Sequence, residues 1–479
     1  MKKNPFTKLG ATIGPACESV EMISKLISSG MSFARLNFSH GDYEADARLI
    51  HNIREASKQN GVFVAVLQDL QGPKLRLGNM PAEGLLVKKG ETLTLSTTVH
   101  DYAGKEIPLP FPQLEKSLHA GERLLIDDGL VELSVTGIKP GLITATVVVA
   151  GTLKSHKGLN FPDSTLMAIP ALSQKDKDDV KFGIGAGVDI VSLSFVKRAQ
   201  DVTELKLLIS KVQEELKMPK RAVPVVAKIE RPEALSNLEE IVQVADIIMV
   251  ARGDLGLETP ISSLPVEQKT IIAAARRAAK PVIVATQLLY TMEHNPRPTR
   301  AEVSDVGNAV VDHADALLLT NETAMGEYPV QSVEMMRDTA YAMEQSTFDD
   351  HLRPEEALSI SSVQEVLSKV SDTLASETKA RLVLAYSKSG ELARFLSHHR
   401  LPVPVVVGSA NPFVRAHSAV IWGLETLVVD EPKHFEDFVT TAVKKLTTAK
   451  RLKKGDRIVV VSAEKFGDEV ATVVEMKEV

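Results

Sequence analysis

Short runs of Val, Ile and Leu recur along the chain, and most are followed by longer stretches whose apolar positions repeat at helical spacing. This alternation is the signature of βαβ units and a parallel sheet. The runs 8–13, 33–38, 62–69, 190–195, 224–230, 246–251, 281–287 and 316–320 read as strands. About eight strands are what a closed (β/α)₈ (TIM) barrel requires. The amphipathic stretches Ser19–Ser29, Asp201–Leu216 and Pro265–Ala279 predict helices covering its outside.

The alternation breaks once, between the third and fourth strands. Residues 73–167 carry period-2 runs such as Glu91–Thr97, and a Pro140-Gly141 turn joins Val131–Gly137 to Leu142–Val149. That segment is expected to be a small all-β domain inserted in a βα loop, leaving 1–72 and 168–346 for the barrel. The polar stretch Thr347–Pro354 reads as a linker. Beyond it, strands near 381–386, 404–408, 424–429 and 457–462 alternate with helical stretches, so 355–479 is expected to be an α/β domain with an open sheet.

A length of 479 residues fits two or three domains better than one core. With 56 Lys and Arg against 62 Asp and Glu, the formal charge of -6 lacks the basic excess that predicts a nucleic-acid or anionic-membrane partner. Small metabolites suit this balance better. No run approaches a membrane span, and Met1–Pro5 has no signal-peptide core, so a cytoplasmic protein is expected. The single cysteine, Cys17, reads as a small buried hydrophobe.

Functional groups of a barrel enzyme stand at the carboxyl ends of its strands. Here those ends are unusually polar. Alternation puts Arg35, Asn37 and Ser39 on one face of the second strand. The third strand ends in Asp69, with Lys74 and Arg76 just beyond, at the root of the insertion. Lys228 and Glu230 share a face of the fifth strand, where an inward pair of charges is costly unless a ligand or metal satisfies it. The sixth strand runs into Ala251-Arg252-Gly253-Asp254, a turn whose N–H groups could meet an anion. Asp254 with Glu230 makes a hard, all-oxygen pair suited to Mg²⁺. Thr286 and Gln287 end the seventh strand with a hydroxyl and an amide. Singly, each of these groups is as readily a structural ion pair or a turn. Together, five strand ends supply a coherent set for a phosphate and a metal.

At these residues the sequence resembles the pyruvate kinase family over nearly its whole length. The stretches that carry the resemblance are Ala11–Pro15, Ala34–Gly41, Ala251–Gly256, Ala285–Gln287, Pro296–Glu302 and Glu322–Ala324, in the family's order. The resemblance implies a barrel with a mobile β lid and a C-terminal regulatory domain. It also implies phosphoryl transfer from phosphoenolpyruvate to ADP, giving pyruvate and ATP in glycolysis, in a homotetramer. By position, it assigns Mg²⁺ (or Mn²⁺) to Glu230 and Asp254, and the substrate carboxylate to N–H groups around Gly253 and Asp254. Transition-state charge falls to Lys228 and Arg35, and proton relay to the enolate falls to Thr286. Asn37, His40, Arg76 and Lys157 match positions near the nucleotide phosphates, with the Asp127-Asp128-Gly129 turn contributed by the lid.

Three departures bear on the family's chemistry. Many members hold K⁺ at the positions of Asn37, Ser39 and Asp69, with a glutamate where this chain has Lys74. An ammonium can neutralise the same charge, so Lys74 is expected to replace K⁺, and Gln71 and Leu77 follow the potassium-independent pattern. Thr320-Asn321 stands where a glycine is usual before Glu322, and Asn tolerates left-handed backbone. Ser387-Lys388-Ser389-Gly390 resembles the family's effector-phosphate loop, yet Glu391 follows it and 465–469 is acidic. A phosphorylated effector and a helix cap without ligand both fit this loop, and a sugar bisphosphate is disfavoured.

Two rival readings remain at this stage. A Mg²⁺-dependent lyase or aldolase would also present Glu and Asp to metal, but has no use for Arg35, Arg76, Lys74 or the insertion. A catalytically silent sensor would have no reason to keep inward charges.

Overall fold

The structure, a computed structural model, describes residues 4–39, 42–166, 169–349, 362–466 and 469–479. The chain begins with β1 (Lys8–Thr12), β2 (Met31–Asn37) and β3 (Ala65–Asp69). It then leaves for eight short strands: β4 (Leu85–Val87), β5 (Thr92–Ser96), β6 (Glu106–Pro108), β7 (Arg123–Ile126), β8 (Val131–Lys139), β9 (Leu142–Val149), β10 (Gly151–Leu153) and β11 (Leu159–Asn160). It returns through β12 (Ile190–Leu193), β13 (Val225–Ile229), β14 (Ile247–Ala251), β15 (Val282–Ala285) and β16 (Ala316–Leu319). The parallel barrel closes in the order β1-β16-β15-β14-β13-β12-β3-β2.

Strand alternation divides the barrel into two cores. One parity, including Leu9, Ala34, Leu36, Val66, Val225, Val250, Val284 and Leu317, packs outward against the surrounding helices. The other, including Phe33, Leu67, Val226, Ile247, Met249, Ile283 and Leu318, fills the interior. Gly10 leaves room there: a Cβ on it would stand 2.2 Å from the Phe33 ring. Toward the carboxyl end the inward parity turns polar, giving Thr12, Arg35, Asn37, Asp69, Lys228 and, one residue past β13, Glu230. The interior is thus packed below and ionic above.

The covering helices start where side chains can cap them. Ser19 accepts from Met22 N ahead of helix Val20–Ser29, and Gly30 closes that helix at φ 122°. Helices Ala199–Glu215 and Leu264–Arg277 occupy the other two predicted stretches.

The inserted strands form a six-stranded sheet, β11-β7-β8-β9-β5-β6, and a ribbon of β10 with β4, around their own core of Leu95, Leu124, Leu133, Ile143 and Phe161. They dock on the barrel through buried polar contacts. Asn160 Nδ2 donates to Glu258 Oε1 at 2.7 Å, Arg231 Nη1 lies 3.2 Å from Glu258, and Leu166 N donates to Glu233 at 3.0 Å.

The C-terminal sheet has β17 (Leu382–Tyr386), β18 (Val405–Ser409), β19 (Leu424–Val428), β20 (Arg457–Phe466) and β21 (Glu469–Glu478), in the order β19-β18-β17-β20-β21. All neighbours are parallel except β20 with β21. β21 goes beyond the four strands expected from the sequence. Of the linker expected at 347–354, the part from residue 350 on lies outside the described residues. Among the described residues no helix is long and apolar enough to cross a membrane.

Candidate active site

Four strands bring their polar ends together at the barrel mouth. Register places Thr12 beside Arg35 and Asn37 beside Asp69. Arg35 Nε donates to Asp69 Oδ2 at 2.7 Å, and its Nη1 donates to Thr12 Oγ1 at 3.1 Å. Lys228 Nζ sits 3.4 Å from Asp69 Oδ1 and 2.8 Å from Glu230 Oε1, and donates to Ser194 Oγ at 2.8 Å. Glu230 accepts a 2.7 Å hydrogen bond from Phe195 N. Lys228 is 9 % exposed and Glu230 1 %. At that burial each charge persists only through its partners.

The protonation pattern follows from this cluster. Burial would raise Asp69, but the Lys228 ammonium and the Arg35 guanidinium outweigh it and hold the carboxyl below the usual range. Burial would lower Lys228, but Asp69 and Glu230 outweigh it and keep the ammonium protonated. For Glu230 burial wins, aided by Asp254 and opposed by Lys228, and its carboxyl is pushed up.

Two oxygens of the cluster, Asp69 Oδ1 and Glu230 Oε1, are buried without a hydrogen bond of ordinary geometry. A buried carboxylate oxygen left this way is an acceptor a hard cation can take. Asp254 is the third carboxylate at this end, in the first turn of helix Arg252–Glu258. Among the described residues no group of three or more His, Cys, Asp or Glu could hold a metal. Two carboxylates, Glu230 and Asp254, are the kind of hard oxygen donors that a divalent ion such as Mg²⁺ takes alongside water or substrate oxygens.

The turn after β15 is strained in a way the sequence did not announce. The stretch expected as strand to residue 287 stops at Ala285, because Thr286 and Gln287 take φ 71° and 52°. Left-handed backbone is unfavourable for a β-branched residue, and such strain persists only where the surroundings impose it. Arg252 imposes it here. Its Nη2 donates to the carbonyls of Thr286 at 2.8 Å and Gln287 at 3.3 Å, while Nη1 is held by Asp305 at 2.7 Å. The Thr286 hydroxyl consequently accepts from Gly253 N at 2.7 Å.

Lys74 reaches the mouth and meets Asp254. Its ammonium lies 3.1 Å from Asp254 Oδ1, and among the described residues it pairs with none of Asn37, Ser39 and Asp69. The reason is electrostatic: Asp69 is already neutralised by Arg35 and Lys228, leaving Asp254 as the carboxylate it meets. Asn37 instead accepts from Ser39 N at 3.2 Å, closing a turn at the mouth.

Arg76 and Lys157 belong to the inserted sheet. Arg76 Nη1 donates to His156 O at 2.9 Å and bridges Gly158, while Lys157 pairs with Asp127 at 2.8 Å. Asp127, Asp128 and Gly129 are all left-handed, at φ 54°, 54° and 81°. A Cβ on Gly129 would come 3.7 Å from Leu257, so this turn lies against the helix that carries Asp254. Among the described residues no hydrogen bond or ion pair joins Arg76 or Lys157 to the Arg35 cluster. His40 lies outside the described residues.

Other stretches prove architectural. Thr299 and Glu302 form a capping box for helix Arg300–Val311, and Glu302 also binds Thr291. Asn321 begins a short helical turn with ordinary φ, so its left-handed tolerance is not called on. Cys17 is 1 % exposed, and burial pushes its thiol up to about 11. At the loop Ser387–Gly390, Glu464 Oε1 accepts from Lys388 N at 2.8 Å and from Ser387 Oγ at 3.4 Å, and Lys388 Nζ pairs with Glu431 at 2.6 Å. Gly390 N and Glu391 N are taken by Ser387 and Ser389 hydroxyls.

Two participants escaped the sequence reading. Ser194 joins Lys228 to the Leu70 carbonyl, to which it donates at 2.7 Å. Its signal was parity, since it continues the inward series of Ile190 and Ser192. Arg252 stood inside a recognised motif without a role, and nothing short of the backbone angles at Thr286 assigns one.

The comparisons with known proteins agree with this architecture. The family model described as pyruvate kinase, barrel domain, matches residues 4–333, and that described as pyruvate kinase, alpha/beta domain, matches 365–474. Pyruvate kinase of Mycobacterium tuberculosis is 38% identical over 455 residues, covering 95% of this chain and 94% of its own. That of Geobacillus stearothermophilus is 36% identical over 469 residues, covering 97% and 79%. The crystal structure of a pyruvate kinase from Cryptosporidium parvum is similar with a TM-score of 0.91 at 31% identity, covering 98% of this chain and 96% of that one.

Proposed function

The chain belongs to the pyruvate kinase family and is a phosphotransferase, and from that premise we propose that it transfers the phosphoryl group of phosphoenolpyruvate to ADP, giving pyruvate and ATP. The observation that carries the reading to this chain's own residues is the inward-facing Arg35–Asp69–Lys228–Glu230 cluster at the barrel mouth.

Phosphoryl transfer spreads negative charge over three oxygens in flight, so catalysis is mostly positioning and fixed charge. Lys228 and Arg35 supply that charge, held in place by Asp69 and Ser194 before substrate arrives. Glu230 and Asp254 would hold Mg²⁺ (or Mn²⁺), which when bound would supply positive charge to offset that of the substrate's anionic groups. The N–H groups of Gly253 and Asp254 receive the substrate carboxylate, which displaces the Thr286 hydroxyl from Gly253. Thr286 then relays a proton through water to the enolate, an alcohol being a poor acid by itself. Asn37, His40, Arg76 and Lys157 attend the nucleotide phosphates.

The same reading includes catalysis without K⁺. An ammonium already stands among the carboxylates of the mouth, on Asp254 rather than beside Asp69. The loop Ser387–Gly390 acts as a structural turn, since Glu464 takes the Lys388 N–H and Ser387 the Gly390 N–H. A cytoplasmic, glycolytic homotetramer completes the proposal.

Mixing the protein with Mg²⁺, ADP and phosphoenolpyruvate tests the assignment. Pyruvate and ATP in equal amounts support it, while other pyruvate-derived products favour a lyase and no turnover favours a sensor. Initial rates should survive exchange of K⁺ for a bulky organic cation, and a large loss would sink the potassium-independent reading.

A further inference from the structure

At the amino ends of β15 and β16, opposite the mouth, a small half-open cavity of ≈ 20 Å³ lies between the barrel and the C-terminal domain. Arg276, Lys280 and Asp315 line it from the barrel, and Arg394, His398 and Arg400 from the other side. We propose that this seam pocket binds a phosphate dianion, free or as a phosphomonoester, held by cations of both domains.

The cations are partly explained by architecture. Lys280 Nζ donates to Ala245 O at 2.7 Å, Arg394 Nη1 donates to the carbonyls of Ala278 and Ala279 at 3.3 and 3.2 Å, and Arg400 Nη2 donates to His313 O. These carbonyls end barrel helices, where positive charge is favourable. Capping does not exhaust the donors. A guanidinium has five N–H groups, and among the described residues no acceptor meets Arg394 Nε or Nη2. Nor does the pocket supply its own anion. Asp315 is the single carboxylate lining it, and its oxygens already accept from Val282 N at 2.9 Å and Trp422 N at 3.2 Å, with Arg400 3.8 Å away. Asp246, which also acts on Lys280 and Arg394, is paired with Lys206 at 2.9 Å.

The imidazole within the group registers the resulting field. Burial and the neighbouring His399, Arg276, Arg400 and Arg394 push His398 down to about 3, and burial with Arg394 lowers Lys280 to about 8. Three guanidinium groups and the Lys280 ammonium line the pocket, with Glu344 and Asp349 acting on Arg400 and Glu391 on Arg394 from outside the lining, and a tetrahedral oxyanion among them would gain charge-assisted, forked hydrogen bonds. At ≈ 20 Å³ the cavity holds about one water, so a phosphate would sit at its half-open mouth with any ester group in solvent. An occupant would tie the helix Glu391–His398 to the barrel helix Leu264–Arg277. This inference is independent of the phosphoryl-transfer reading, because what tests it is binding.

Calorimetric titration of the full chain with inorganic phosphate, at ionic strength held constant with chloride, should show a binding event that Arg394→Gln and Lys280→Gln each weaken at least tenfold. Any binding at the barrel mouth is common to all variants. Lys206→Gln, which removes a cation outside the pocket, should leave the event within twofold. Lys280→Arg keeps charge and cap, so its recovery of binding separates lost charge from lost fold. A parallel titration with glycerol phosphate identifies the source: equal or tighter binding points to a phosphorylated metabolite, and clearly weaker binding to the free ion. Phosphate affinity unchanged in both Gln variants, or absent in the wild-type chain, overturns the proposal.

Discussion

The barrel mouth and the loop Ser387–Gly390 both collect polar groups where a strand gives way to a helix, yet they end in opposite states. At the mouth, Asp69 Oδ1 and Glu230 Oε1 are buried with the Lys228 ammonium shared between them, and Thr286 is held in left-handed backbone by Arg252. At the loop, Glu464 supplies the anion itself and every neighbouring donor described above has an acceptor. Buried charge shared among few partners and imposed strain mark groups arranged for something that arrives, whereas a set of ordinary hydrogen bonds marks groups arranged for one another.

Substitutions can break this contrast from either side. The largest effect is expected from Lys228→Met, which should lower kcat by about 10²–10³-fold through lost transition-state charge. It should also cost about 3–5 kcal/mol of stability by leaving Asp69 and Glu230 unpaired. Initial rates and denaturant midpoints measure the two separately, and near-wild-type turnover would refute the assignment. Next comes Arg252→Lys, which keeps the charge but not the fork. Release of the Thr286 turn should cost up to about 10²-fold in kcat through misplacement alone, with KM for ADP little changed. A fall in KM-limited rate with kcat intact would move Arg252 out of the positioning role.

Glu464→Ala probes the closed side. It should leave kcat unchanged and lower stability by about 1–3 kcal/mol, the cost of orphaning the Lys388 N–H. Lost activity without lost stability would contradict the contrast. The smallest effect concerns Cys17, whose thiol burial holds at about 11. Its thiolate is scarce at every pH below that, so alkylation at pH 8 should be slow in the folded chain and fast after unfolding. Rapid labelling of the native protein would show the site to be open.

Much of the mouth was legible because parity is a strong signal. Phe33, Arg35 and Asn37 must share a face, and the switch from apolar to charged along that face marks the end of the packed interior. What eluded the sequence depends on partners distant in the chain. Lys74 pairs with Asp254, 180 residues away, which no local pattern announces. Thr286 looked like the end of a strand because Val282–Ala285 predicts continuation and the clamp comes from Arg252. β21 went unseen because an edge strand buries little: Val470 is 69% exposed and Met476 39%, so no clean alternation appears. His40 lies outside the described residues.

Barrel closure also carries a temporal consequence. β3 pairs with β12 only after the whole inserted sheet has been made, and β1 waits longer still for β16. A chain emerging from the ribosome therefore exposes β1 to β3 with open edges while the insertion, which has its own core, can already fold. Early synthesis is when this protein stands most open to wrong pairing, and a compact insertion next to β3 shortens the distance across which the delayed strand must find it.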